Sequence, residues 1–173
     1  AEDSPSMSGV NFSVLALGDT SYELFCESGK EWDTWLESKG GNRLNQRVDC
    51  DVDYEDIAKS WMDETLALMG AVDDSGVFQH DQVEQVKANA SDSSSKDVSN
   101  VDIESTSVEI STDGDRSLLI LFGSQSGNAE ALAAKFAKQA SAYGLEADVA
   151  DMDGFDISSL SGKKRVLILC STW

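Results

Sequence analysis

The sequence predicts an α/β protein with a doubly wound, mostly parallel sheet. Three short apolar runs support this fold class: Phe12 to Leu17, Leu118 to Phe122 and Val166 to Cys170. Each reads as a strand that is buried on both faces, as strands of parallel sheets are. Two of the runs are followed by segments with helical periodicity, which is the order that parallel α/β units require.

The region from about Val10 to Gly70 contains two predicted strand–helix units. After the first strand, a helix is expected from Lys30 to Lys39, ended by Gly40 and Gly41. Leu44 to Cys50 reads as a second strand, and Asp53 is the predicted cap of a second helix. The apolar face of that helix consists of Tyr54, Ile57, Ala58, Trp61, Met62, Thr65 and Met69.

The region from Ser117 to Trp173 predicts a β-α-β-(α)-β unit. A polar loop, residues 123–128, follows the strand at Leu118 to Phe122, and a helix is expected from Ala129 to Tyr143. An edge strand at residues 147–150, a short helical turn at 157–160 and a strand at 166–170 complete the unit.

Residues 72–115 are rich in Ser, Asp and Glu and show no sustained period. Such a composition buries little apolar surface, so we expect an acidic, disordered linker. Two alternatives remain: a weak helix around His80 to Ala88, and a short edge strand in which Val101, Ile103, Val108 and Ile110 alternate.

The overall composition narrows the function classes. A formal charge of −19 disfavours nucleic acid as a partner, because phosphates would be repelled. The charge either serves to attract partners with basic faces or only aids solubility. No apolar run is long enough to predict a membrane span, and no signal peptide is recognisable, so a cytoplasmic location is expected. With three dispersed cysteines and one histidine, we expect buried reduced thiols and neither a metal site nor a Cys–His nucleophilic pair.

The loop from Ser124 to Ala129 has the strand–loop–helix setting that presents backbone N–H groups to a phosphate. Ser124 and Ser126 add hydroxyl donors, and Gly127 permits close approach of the backbone. The loop contains no lysine, and neither a Walker sequence nor a GxGxxG fingerprint is present. A monophosphate therefore suits the loop better than a nucleoside triphosphate or a dinucleotide. A plain strand-to-helix turn explains the same residues equally well.

A second loop, from Leu17 to Cys26, follows the first strand. Its Gly18-Asp19 turn leads to Tyr22 and Phe25 at the carboxyl end of that strand, where ligands bind in open α/β sheets. An aromatic side chain there can stack on a flat ring, although ordinary packing also accounts for both aromatics.

Both loops resemble those of the flavodoxin-like, FMN-binding domain of diflavin reductases, closest to the flavoprotein subunit of NADPH-dependent sulfite reductase. The resemblance continues through Ser28–Lys30, Gly40–Leu44 and Arg47–Tyr54, and Ser171, Thr172 and Trp173 resemble the start of the family's middle flavin loop. It implies the flavodoxin strand order 2-1-3-4-5 and FMN as cofactor.

The resemblance also implies a role for each matched residue. The phosphate would be held by Ser124, Gln125, Ser126, Gly127, Asn128 and Ala129. Ser171, Thr172 and Trp173 would approach one side of the isoalloxazine ring; the family usually has Tyr or Gln in place of Trp173. The other side would be lined by Leu17, Gly18, Asp19, Thr20, Ser21, Tyr22, Glu23, Leu24, Phe25 and Cys26, with Tyr22 as the stacking candidate.

The two matching pieces stand in reverse order, since the family's phosphate loop precedes its Gly-Asp-Thr-Ser-Tyr loop. A circular permutant and a segment spanning tandem domains both produce this order. The helix that joins the two pieces in the family is absent, which favours the tandem interpretation. We therefore expect residues 1–71 to be the C-terminal half of one flavodoxin-like domain and residues 116–173 the N-terminal half of another, and the halves could still pair.

By resemblance, the parent protein would relay electrons from an FAD/NADPH module through FMN to a haem or iron–sulfur acceptor. The alternatives are a stand-alone flavodoxin-type shuttle, a flavin-free domain with a role in assembly, and a phosphate-binding switch module, which the missing lysine disfavours.

Overall fold

A computed structural model describes residues 6–19, 21, 23, 26–73, 75–94, 116–123 and 127–172. Its strands are β1 (Asn11–Gly18), β2 (Asn42–Arg43), β3 (Val48–Cys50), β4 (Ser117–Gly123), β5 (Glu146–Asp151) and β6 (Arg165–Thr172). Its α-helices are α1 (Glu27–Ser38), α2 (Glu55–Gly70), α3 (Val83–Ser94) and α4 (Asn128–Ala140). Short 3-10 helices cover His80–Gln82, Ser141–Tyr143 and Ile157–Gly162.

All six strands form one parallel sheet. Its order is β5–β4–β6–β1, with β2 and β3 both pairing with β1 at the far edge. Numbered from β4, this is the predicted order 2-1-3-4-5, which confirms the flavodoxin-like fold class. The two separated pieces of the chain meet at the centre of the sheet, where β1 pairs with β6 from Asn11–Arg165 to Gly18–Thr172.

Helices cover both faces of the sheet. On one face α2 and α4 enclose a core that includes Leu15, Ile120 and Leu169, and the rings of Trp61 and Phe136 stack there at 6.1 Å between centroids. On the other face α1 and the 157–162 turn cover a smaller core around Phe12, Val14 and Ile168. Both cores draw residues from both pieces of the chain, so the pieces fold around shared apolar surfaces.

Two buried arginines join the second piece to the end of α2. Arg165 donates to the carbonyl oxygens of Met69, Val72 and Asp73, and Arg116 donates to those of Gly70 and Val72. A helix leaves its last carbonyls without partners inside the helix, and the positive guanidinium groups donate here to those of Met69 and Gly70. Sequence periodicity did not indicate this junction, because it depends on residues more than forty positions apart.

The predicted strand over Leu44 to Cys50 is interrupted. Pairing with β1 stops at Arg43 and resumes at Val48, because Asn45 leaves the ladder: its N–H donates to Ser13 Oγ and its side chain to Thr65 Oγ1. The expected cap of α2 also differs, since the helix begins after Tyr54 rather than Asp53 and has no side-chain cap.

The expectation of disorder after residue 72 fails over the segment that includes α3. Val86 on α3 is fully buried and packs with Ala67 and Ala71 at the end of α2. These small residues leave room for the valine, so the weak helical pattern becomes a packed helix. The alternating residues from Val101 to Ile110 lie outside the described residues.

Candidate functional site

The three predicted flavin-binding segments follow three adjacent strands at one edge of the sheet. Leu17 and Gly18 at the end of β1 are paired with Ser171 and Thr172 at the end of β6. Gly123, the last residue of β4, is paired with Cys170 of β6. Because all strands are parallel, the loops that leave them start from the same carboxyl edge, which is where ligands bind in open α/β sheets.

Gly127 forms the junction between the predicted phosphate loop and α4. Its φ of +84° is left-handed, a conformation that glycine adopts without strain, and no atom of the described residues lies within 4 Å of the place where a Cβ would stand. Among the residues that the structure describes, no side chain caps α4 at this position. A helix N-terminus that follows such a turn is where a phosphate would interact with backbone N–H groups.

The two described loop residues after Gly127 differ in burial. Ala129, in the first turn of α4, is buried in the core, so it offers its backbone rather than its side chain, while Asn128 is half-buried. Ser124, Gln125 and Ser126 lie outside the described residues.

The loop after β1 is organised by Asp19. Its Oδ1 accepts hydrogen bonds from the backbone N–H of Ser21, at 2.8 Å, and from the Ser21 hydroxyl. This turn keeps the chain close to the end of β1 and leaves Ser21 and Glu23 exposed. Thr20, Tyr22, Leu24 and Phe25, including the stacking candidate, lie outside the described residues.

Cys26 ends this loop and lies at the start of α1. It is fully buried, has a φ of +54°, and its Sγ lies 3.8 Å from the carbonyl oxygen of Cys50. Burial, reinforced by the negative charge of Asp49, raises the pKa of the Cys26 thiol to about 12. Cys26 therefore provides a buried, uncharged side chain at the end of the loop and not a nucleophile.

The other two cysteines are also buried and free near this edge. Burial raises the pKa of the Cys170 thiol to about 12, and that of Cys50 to about 11. The expected burial is confirmed for all three cysteines, and none of the three forms a disulfide in the structure. Their mutual proximity was not predicted, because it depends on β1, β3 and β6 being neighbours.

The end of β6 contributes backbone at the centre of the edge. Ser171 is half-buried, and its Oγ lies 3.5 Å from the carbonyl oxygen of Gly123 across the β4–β6 boundary. The backbone of Thr172 continues the pairing with Gly18. Trp173 lies outside the described residues.

One further loop reaches this edge that the sequence analysis did not assign to the site. Asp51, Val52 and Asp53 follow β3, and Val52 is 56% exposed. The signal was present in the sequence, since these residues follow a strand that ends at the same carboxyl edge as β1.

The arrangement fits FMN in two respects. Gly127 makes a left-handed turn into a helix N-terminus, whose backbone N–H groups suit one phosphate, and the loops after β1 and β6 begin side by side, as two walls of a flat ring site would. Within the described ranges, no group of three or more His, Cys, Asp or Glu side chains is positioned to hold a metal ion.

Comparison with known families finds one matching family model, described as flavodoxin. It matches residues 1–61 and 120–173, the same two pieces that form the shared sheet. The match covers more than half of the chain and leaves out the acidic segment between the pieces.

Curated relatives include several sulfite reductase [NADPH] flavoprotein alpha-components. That of Bacillus subtilis is 53% identical over 62 residues, covering 36% of this chain and 10% of the relative. That of Vibrio parahaemolyticus is 44% identical over 66 residues, covering 38% of this chain and 11% of the relative. That of Cronobacter sakazakii is 42% identical over 71 residues, covering 41% and 12%. The matches therefore span only about a tenth of each relative's length.

No solved structure matches the chain. Among the helices of the described residues, none has the length and apolar character to cross a membrane.

Proposed function

The chain belongs to the flavodoxin family, and from this membership we propose that it is an FMN-binding electron-transfer module of an NADPH-dependent flavoprotein reductase of the sulfite reductase type. One observation carries the proposal: the segments after β4, β6 and β1 leave adjacent strands at one carboxyl edge, although the first and last are about a hundred residues apart.

We assign the phosphate to residues 124–129 and the ring to the space between residues 171–173 and the loop from Leu17 to Cys26. The left-handed turn at Gly127 supports the first assignment. The direct pairing of Gly18 with Thr172 supports the second, because the loops that would flank the ring start next to each other. Tyr22 and Trp173 remain the aromatic candidates for stacking on the ring.

When bound, FMN supplies the electron-accepting and electron-donating chemistry, and the protein supplies binding and electrostatics. The residues of this chain hold the phosphate, orient the ring and exclude water from part of it. The buried thiols beneath the loop stay uncharged at neutral pH, since their pKa values lie at about 11 to 12.

In the full protein, electrons would arrive from an FAD/NADPH module and leave to a haem or iron–sulfur protein. The relatives, which are NADPH flavoprotein components of sulfite reductase, support this assignment. The formal charge of −19 would favour approach of a partner with a basic face. A cytoplasmic location is part of the same proposal.

Titration of the purified chain with FMN tests the proposal, with riboflavin as the matched ligand that lacks the phosphate. We expect the fluorescence of FMN to be quenched when it binds to the protein, and riboflavin to bind at least about tenfold more weakly. One well-placed charged contact is worth about 1.4 kcal/mol or more, which corresponds to a tenfold difference in affinity. Equal affinity for both ligands would contradict the phosphate assignment.

The rival functions give different results. No binding of FMN to the chain or to a full-length version would favour a flavin-free assembly domain. Binding of FMN by a full-length protein that lacks an FAD/NADPH region would instead indicate a stand-alone shuttle.

We also propose that residues 1–71 and 116–173 derive from two successive flavodoxin-like domains, joined by the acidic segment 72–115. The two separate matches to one family model support this division. Reading the gene on both sides of the sequence tests it: a tandem arrangement predicts another phosphate loop upstream of residue 1, whereas a circular permutant does not.

A further inference from the structure

A groove lined with lysines lies between α2 and α4. It has a volume of about 320 Å³, and its floor is made of buried apolar side chains, Met62, Leu132 and Phe136. Three lysines with exposed side chains also line it: Lys59, Lys135 and Lys138. None of the residues assigned to the flavin is among those that line the groove.

The positive charge of the groove is not neutralised by ion pairs within the described part of the chain. No ion pair between described residues includes any of the three lysines. Glu55 and Asp56 also line the groove, but they lie in the first turn of α2. Lys135 and Lys138 lie on α4, so the α4 wall is the basic side of the groove.

The segment 95–115 is attached at both ends close to this groove. The residue that follows it, Arg116, donates to the carbonyl oxygen of Gly70 at the end of α2 and to that of Gly144, just beyond the short helix after α4. The helix that precedes it, α3, packs through Val86 against the same end of α2. Both attachments therefore lie where the two helices of the groove end.

The length of the segment permits it to enter the groove and return. Its 21 residues span at most about 70 Å when extended. The 13-residue α4 is only about 20 Å long, so a path along α4 and back uses little more than half of that reach.

The composition of the segment complements the groove. It contains six carboxylates and one lysine, so its net charge is −5. Apolar and acidic residues alternate in Val101–Glu104 and again in Val108–Ile110. An extended chain with this pattern presents its apolar side chains on one side and its carboxylates on the other.

We propose that segment 95–115 docks in the groove between α2 and α4, with its apolar side chains over the buried floor and its carboxylates beside the lysines. Charge complementarity supports this occupant, because an anionic chain meets the basic wall of α4. The attachment at both ends supports it as well, since it gives the segment a high effective concentration at the groove. Glu55 and Asp56 repel the segment at the start of α2, so the contacts are concentrated at Lys135 and Lys138.

Zero-length cross-linking of the full chain tests the proposal, because a carbodiimide joins a lysine Nζ to a carboxylate only when the two are in contact. We expect cross-links from Lys135 and Lys138 to carboxylates of segment 95–115, identified by mass spectrometry. The cross-links should decrease when salt is raised from about 0.1 M to about 1 M, since the Debye length falls from about 10 Å to about 3 Å. Lys30 on α1, at the other face of the sheet, is the control lysine and should not be joined to the segment.

Charge reversal on α4 provides a readout that does not depend on the substituted lysines themselves. The double variant Lys135→Glu, Lys138→Glu should reduce the cross-links between Lys59 and the segment about threefold, the size expected for the loss of exposed ion pairs. Lys30→Glu should leave those cross-links unchanged. Thermal unfolding checks that both variants keep the fold, and unchanged Lys59 cross-links in a folded double variant would overturn the proposal.

Other cross-linked products identify other occupants of the groove, and each would overturn the proposal. Cross-links of Lys135 and Lys138 to Glu55 or Asp56 alone would show that the two helices bridge the groove themselves. Cross-links between isotopically labelled and unlabelled copies would show that a second copy occupies it. Absence of any cross-link from the three lysines to segment 95–115 would show that the segment lies elsewhere.

Discussion

Arg165 Nη2 lies 2.6 Å from the carbonyl oxygen of Val72, although 93 residues separate them in sequence. Arg165 is fully buried at the start of β6, and it also donates to Met69, Asp73 and Ser117. The contact joins the two pieces of the chain where α2 ends, and it shows that the second piece completes the C-terminus of a helix belonging to the first.

Replacing Arg165 with methionine should therefore destabilise the whole domain. Four carbonyl oxygens lose a charged donor, and we expect the free energy of unfolding to fall by about 3 to 5 kcal/mol, measured by urea denaturation. The free energy of unfolding of Arg165→Lys should lie between that of the original protein and that of Arg165→Met, since lysine keeps the charge but has fewer donors. Lys59→Met, exposed on α2, is the control and should change stability by less than about 0.5 kcal/mol. A similar loss in the control would show that the effect is not specific to the junction.

Gly127→Ala should weaken FMN binding. The alanine must adopt a φ of +84°, which costs about 1 kcal/mol or more, so the loop should shift away from its phosphate-binding shape. Gly9→Ala provides a matched control: Gly9 has a φ of +87°, equally open surroundings, and lies at the opposite end of the sheet. Both variants should lose similar stability in thermal unfolding, but only Gly127→Ala should lower FMN affinity in a fluorescence titration. Equal loss of affinity would argue against the assigned phosphate site.

Gly29→Ala should destabilise the packing of α1 on the sheet. A Cβ at position 29 would stand 2.3 Å from the Cβ of Ala16 on β1, so the helix must move outward. We expect a cost of about 1 to 3 kcal/mol in urea denaturation. The double variant with Ala16→Gly removes the clash, and it should be more stable than the sum of the single changes predicts. Additive losses would indicate that the two elements do not meet as described.

The three thiols should be unreactive in the folded protein. With pKa values raised to about 11 or 12 by burial, they hold little thiolate at pH 8, and alkylation by iodoacetamide should be fast only after unfolding. The raised pKa means that the folded state favours the neutral thiol. The contribution of these buried thiols to the free energy of unfolding is therefore present below about pH 9 and is lost as pH rises towards 12. Denaturation curves at pH 8 and pH 10.5 would measure this, and unchanged stability together with rapid alkylation at pH 8 would refute it.

The elements that the sequence predicted well are those whose signal is local. Phe12 to Leu17 reads as a buried strand because nearly every residue is apolar, and β1 is buried throughout. Gly144 ends the helical segment before β5 because only a residue that tolerates a φ of +74° fits there. In the candidate site, Gly127 was identified for the same reason, since it lies between a strand and a helix and its conformation depends on its own backbone.

Several features depended on contacts that no local pattern records. The strand break at Asn45 follows from hydrogen bonds to Ser13 and Thr65, and α3 is stable because Val86 finds a space beside Ala67 and Ala71. The pairing of Arg165 with the end of α2 likewise joins residues that are far apart in the chain.

By itself, the sequence determined most of the strands and helices, the glycine turns and the motifs that identify the family, because these depend on neighbouring residues and their spacing. Only the tertiary structure decided that the two reversed pieces share one sheet, with Gly18 beside Thr172, and that a groove lined with lysines lies between α2 and α4. The order of strands in the sheet does not depend on the order of the two pieces along the chain. Hydrogen bonds and apolar burial depend on which strand edges and faces meet, and not on which piece comes first in the sequence.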